Sequence, residues 1–146
     1  PLKLIMMIKL KYVLLLFFAG ITSLLAQEKL GEADVENFEE FITEVYGDSV
    51  EDVILNNKKS ISFYKGILDR LVFYKASSFP KSLTLINLNE VYKIKDYNSN
   101  IDFKLPNNFI QFNPYKFKLN TYNKKTIYYY SENGNYIIGL LPLTQS

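Results

Sequence analysis

Residues 126–141 read TIYYYSENGNYIIGLL. Thr126–Tyr130 and Tyr136–Leu141 are β-branched and aromatic, the composition that favours strands. They flank Ser131-Glu132-Asn133-Gly134-Asn135, in which Asn133-Gly134 is the strongest short-range hairpin signal in the chain. Pro142 suits the end of the second strand. A C-terminal antiparallel hairpin follows.

Upstream, Tyr115–Tyr122 alternates between apolar and polar residues, and so do Val91–Lys95 and Ser82–Leu88, so all three are expected to be extended. Leu71–Ala76 is a β-branched and aromatic run that ends before Pro80, and it too reads as a strand. Asp96–Asn113 is polar and asparagine-rich, punctuated by Ile101, Phe103, Leu105, Phe109, Ile110 and Phe112. It reads as an ordered loop pinned by its aromatic side chains, with a hidden turn or strand, since long structureless loops are uncommon in compact domains.

The pattern before residue 71 is helical. In Asp34–Tyr46, Val35, Phe38, Phe41, Ile42 and Val45 recur at three and four residues and form one apolar stripe. Gly47 stands where a positive-φ cap belongs. Asp48 or Ser49 can cap a short second helix with Val50, Val53 and Ile54 turned inward, ended by Asn56-Asn57. Ser60–Asp69 is a third helical segment, weakened by Gly66. The predicted fold is α+β: two or three N-terminal helices packed on one face of a small antiparallel sheet that ends in the hairpin.

Composition then narrows the chemistry. The chain has 146 residues and contains no histidine, cysteine or tryptophan. Thiolate or imidazole metal sites, disulfides and every catalytic triad with an imidazole base are thereby removed. The glycines after residue 27 are isolated, so no phosphate-binding loop exists. Neither a cofactor nor a metal is expected.

Residues 1–27 carry Lys9 and Lys11 ahead of Tyr12–Ala19, then Gly20, a second apolar stretch and Ala26-Gln27. That order of basic, apolar and small residues is a secretory signal peptide, with translation starting at Met6 or Met7. The alternative is an anchor left in place. Tyr12–Ala26 has 15 residues, about 22 Å as a helix, short of the roughly 20 residues a span needs. A single domain over 28–146 in the periplasm or outside the cell is expected, with no stable membrane span after cleavage.

Charge divides that domain. Residues 28–52 hold ten acidic groups and one lysine, and residues 53–146 hold thirteen basic and five acidic groups. The whole-chain formal charge of +2 thus becomes −1 once three leader lysines are set aside. A nucleic-acid partner is not expected of such a chain.

Three constellations remain. Glu36, Glu40 and Glu44 repeat every four residues, a solvated face or a docking face for a basic partner. If Ile127 and Tyr129 enter the core, Tyr128 and Tyr130 form an exposed ledge with Tyr136 or Tyr122, able to stack on sugars or on a protein. Asp69, Glu90, Asp96, Asp102 and Glu132 are the carboxylates available for acid–base work.

Phe112-Asn113-Pro114-Tyr115-Lys116-Phe117, then Asn123-Lys124-Lys125-Thr126, an aromatic strand and Asn135-Tyr136-Ile137-Ile138 complete the pattern. With the leader ending Leu25-Ala26-Gln27, it resembles small uncharacterised exported proteins of flavobacteria and related Bacteroidota. The resemblance implies export and brings no activity or site residues. The expected function is that of a non-catalytic exported protein contacting another envelope protein. A carbohydrate-binding module using exposed tyrosines and a carboxylate-dependent hydrolase are the alternatives.

Overall fold

The computed structural model describes residues 2–25 and 27–144, the segment 14–25 as backbone only. Helix α1 covers Leu2–Leu25, and residues 2–13 are all exposed. Most of the apolar stretch of the expected signal peptide lies outside the residues described with side chains. Among the residues described with side chains no helix is long and apolar enough to cross a membrane.

Five strands follow: β1 (Lys29–Glu32), β2 (Leu71–Lys75), β3 (Leu85–Asn87), β4 (Ile127–Tyr130) and β5 (Tyr136–Leu140). They lie in the order β1-β2-β5-β4-β3. Contacts β1–β2, β2–β5 and β5–β4 are antiparallel, whereas β3 runs parallel to β4. The sheet is therefore mixed rather than purely antiparallel. The reason is a crossover: after β2 the chain passes over the back of the sheet and enters at the far edge beside β4. Phe79 holds that crossover down, its ring 5.7 Å from Tyr74 and 4.9 Å from Tyr128.

Helix α2 (Phe38–Tyr46) and helix α3 (Lys58–Asp69) cover the front face. Between them Glu51–Leu55 is a single π-helical turn, closed by the Asn56 N–H on the Glu51 carbonyl. Phe38, Phe41, Ile42, Val45, Val50 and Ile54 from these elements meet Leu71, Phe73, Tyr129, Tyr136, Ile138 and Leu140 from the strands in one core. Capping is local: Asp34 accepts from the Glu36 N–H and Asn57 from the Lys59 N–H. Gly47 has φ 54° and ψ −133°, a conformation hostile to any side chain, though not the left-handed helical one expected of a cap.

Three expectations need correction. Val91–Lys95 and Tyr115–Tyr122 form no strands; a single antiparallel bridge, Lys93 with Phe117, joins them. The alternation in 115–122 is nevertheless real, since Tyr115, Phe117 and Leu119 are buried. The ladder stops because Pro114–Lys116 is a 3-10 turn on one side and the Leu119 N–H turns back to Phe117 on the other. Ser82–Leu88 shrinks to the three residues of β3. The hairpin is present with its strands around residues 131–135 as expected, and its connection uses no positive φ, which among the described residues only Gly47 has. Residues 131–135 connect the strands, with the Gly134 N–H donating to the Ser131 carbonyl. A Cβ on Gly134 would lie 2.6 Å from Leu105 Cδ2, the free end of a side chain that can turn aside, and 3.2 Å from the Ser131 carbonyl oxygen.

The asparagines explain how residues 87–117 stay ordered without strands. Asn87, Asn98, Asp102, Asn108 and Asn113 each accept a hydrogen bond from the backbone N–H two residues on, at 2.8–3.1 Å. Each closes a small side-chain turn that replaces a backbone ladder.

Candidate functional site

Where the helices meet this long loop, the surface opens into a groove of about 930 Å3. Its lining includes Tyr46, Phe63, Tyr64, Tyr92, Tyr97, Tyr115 and Tyr122. The inner rings are fixed. The Tyr46 and Tyr64 hydroxyls are 3.1 Å apart, and the Tyr115 hydroxyl donates to the Tyr64 carbonyl at 2.6 Å. Burial drives the phenol pKa values of Tyr46 and Tyr115 well above the usual range, so both remain neutral donors.

The outer rings are open: Tyr92 is 56% exposed, Tyr97 46% and Tyr122 73%. Two of them rest on inner rings. Tyr122 stacks on Phe63 at 5.7 Å and 28°, and Tyr97 leans on Tyr46 at 4.9 Å and 50°. Tyr122 is also tied from below. Arg70 donates to the Thr121 carbonyl at 2.9 Å and to Asn123 Oδ1 at 3.1 Å, and Asn123 donates to the carbonyls of Lys125, Leu140 and Leu141. Preorganised aromatic faces beside polar side chains are the usual make-up of a recognition site.

The tyrosines singled out from the sequence lie elsewhere. Tyr129 does enter the core, as its partner Ile127 borders it. Tyr136 enters it too, at 1% exposure, donating to the Pro106 carbonyl at 2.7 Å. It cannot join an exposed ledge: residue 136 shares a sheet face with Ile138 and Leu140, not with Tyr128 and Tyr130. Tyr128 and Tyr130 are half-buried on the back face. There Gly139 leaves room for the Tyr74 and Tyr128 rings to close at 6.0 Å, and Phe79 covers them. Tyr122 is the one member of the expected ledge that stands open, on the opposite side.

The acidic repeat is likewise divided. Glu36 is exposed. Glu40 and Glu44 border a second, polar cleft of about 620 Å3 with Asp102, Lys104, Asn107 and Gln111. Glu44 is spent internally: Lys116 Nζ lies 2.6 Å from Oε1 and Asn113 donates to Oε2 at 3.0 Å. Both its oxygens are engaged, so it acts as a clasp between α2 and the loop. Of the candidate acid–base groups, Asp96 borders the aromatic groove and Asp102 the polar cleft. Glu132 accepts from Asn87 at 3.4 Å, and Asp69 and Glu90 are exposed. No two of those five share a cavity. Among the described residues no group of three carboxylates is placed to hold a metal ion.

Sequence reasoning missed the groove because Tyr46, Tyr64, Tyr92, Tyr97 and Tyr122 come from four separate segments. The one available signal was the surplus of tyrosine, twelve in the chain. Comparison with protein-family models, curated proteins and solved structures gives no match for this chain.

Proposed function

We propose that this chain is an exported binding protein that performs no covalent chemistry and recognises its ligand in the aromatic groove. The observation that carries the reading is the set of three exposed tyrosine rings, two of which rest on an inner layer of aromatic side chains. Such rings bring large amphipathic contact area with little rotamer entropy to lose. The leader supports export, and the groove's single carboxylate, Asp96, has no second carboxylate in the groove for two-carboxylate hydrolysis.

A second reading, contact with a basic envelope protein, draws on the acidic surface of residues 28–52. Glu36 and Glu40 are exposed and make no ion pair among the described residues. Glu44 would contribute little to such a face, being already paired.

The test is a binding screen of the purified chain against glycans, extended peptides and basic proteins, run beside the Tyr97→Ala/Tyr122→Ala variant. A ligand held by the parent chain, released by the variant at unchanged thermal midpoint and recovered chemically intact supports groove recognition. Turnover of the ligand, or equal binding by both chains, overturns it. Binding of basic proteins that is lost in Glu36→Gln/Glu40→Gln instead selects the second reading.

A further inference from the structure

We infer that the ligand of the aromatic groove is a neutral glycan chain; this rests on the groove being the binding site. The argument starts from what the unpaired groups of the rim can recognise. Tyr122 has one face against Phe63 and is otherwise 73% exposed, so it offers a single flat apolar platform. Among the described residues the hydroxyls of Tyr92, Tyr97 and Tyr122 make no hydrogen bond, and each can donate and accept. Beside them Asp96 only accepts, Lys118 only donates, and the Asn120 amide does both. These three side chains too have no partner among the described residues.

A ligand that satisfies this set needs apolar faces to lie on the rings and an edge of groups that both donate and accept. A pyranose ring has that shape: C–H faces bounded by hydroxyls. The groove's volume of about 930 Å3 is at the upper end for small-ligand sites, which suits consecutive sugar rings rather than one.

Charge decides between ligand classes. The groove lining contains one carboxylate, Asp96, and one ammonium, Lys118, which cancel. A polyanion gains no net attraction there. Extended proline-rich peptides also favour aromatic grooves. Their prolines present carbonyl acceptors without N–H donors, however, leaving the Asp96 carboxylate desolvated and unmatched. The observations favour the sugar.

The experiment is calorimetric titration of the full chain with short oligomers of glucose, mannose, xylose and N-acetylglucosamine, with oligogalacturonate and oligoproline alongside. At least one neutral oligomer is expected to bind with little dependence on salt. Its affinity falls about tenfold or more in Tyr122→Ala, the scale of a hot-spot aromatic. Tyr122→Phe keeps the stack and most of the affinity, Asp96→Asn weakens binding, and Tyr128→Ala, on the back face, leaves it unchanged. Failure of every neutral oligomer to bind, or binding indifferent to both Tyr122→Ala and Asp96→Asn, overturns the inference. Oligoproline or oligogalacturonate binding in place of neutral sugars, and lost in Tyr122→Ala, overturns the glycan assignment while leaving groove recognition standing. No response from any probe counts against both.

Discussion

Replacing Asn123 by alanine tests how the Tyr122 platform is held. Asn123 is 5% exposed. Its amide donates to the carbonyls of Lys125, Leu140 and Leu141 at 2.8, 3.0 and 3.2 Å, and its oxygen accepts from Arg70 at 3.1 Å. Two amide hydrogens serve three acceptors, so the donor side is worth two bonds of about 1 kcal/mol each. The bond from the guanidinium contributes about 2 kcal/mol, because a charged donor is involved. Among the described residues Arg70 has no carboxylate partner, burial alone lowers its pKa, and its Nε is already buried without an acceptor. Losing Asn123 therefore leaves a half-buried cation less satisfied. Allowing for partial relaxation, Asn123→Ala should lose about 3 kcal/mol, a large share of the 5–15 kcal/mol typical of a domain. Chemical denaturation monitored by circular dichroism reads this directly, and the thermal midpoint should fall by about 10 °C.

Asn123→Asp keeps an acceptor for Arg70 but sets a carboxylate against three carbonyl oxygens. It should still lose about 2 kcal/mol if the donor side counts as stated. Asn120→Ala, exposed, should stay within about 0.5 kcal/mol of the parent chain. A loss below about 1 kcal/mol in Asn123→Ala would refute the network. Full stability in Asn123→Asp would show that only the Arg70 contact matters.

Gly47→Ala should destabilise by about 1–3 kcal/mol, because φ 54° with ψ −133° is closed to side chains; an unchanged denaturation midpoint would show that the backbone there relaxes freely. Glu44→Ala should lose about 1–2 kcal/mol by opening the Lys116 ion pair and depriving the buried Asn113 amide of a partner, whereas the exposed Glu40→Ala should be near neutral. Equal effects in denaturant titrations would contradict the division of the acidic repeat. Tyr46, Tyr74, Tyr115, Tyr129 and Tyr136 all have phenol pKa values raised above 10.0, chiefly by burial. The folded state keeps protons that the unfolded chain releases above about pH 10, so their stabilisation is complete below that pH and is lost as pH climbs toward the folded values. Phenolate absorbance of these residues should rise together with loss of circular dichroism; ionisation ahead of unfolding would contradict the burial.

Much of the framework was legible. The stripe through Phe38, Phe41, Ile42 and Val45 describes α2, because one-sided burial imposes its period on the residues themselves, and the β-branched and aromatic composition of the runs at 71–75, 127–130 and 136–140 describes the three central strands. Less was legible at 91–95 and 115–122. Their alternation records burial on one side, but a ladder also needs a partner in register along several residues, and the turns at Pro114 and Leu119 deny it. The site was less legible still. Tyr128 and Tyr122 look equivalent as aromatics near strands, yet Gly139 and Phe79 turn one into packing while Phe63 presents the other to solvent.

What the amino-acid order determined alone was local: helix and strand periods, the missing imidazole and thiol chemistry, and a greasy segment ahead of residue 28. Tertiary structure decided which strand lies at the far edge, which tyrosines are open and that Glu44 is a clasp. Those outcomes depend on contacts between residues far apart in the chain, 69 positions in the case of Glu44 and Asn113. Periodicity reports only how each segment divides between core and solvent, and not which distant segment it meets.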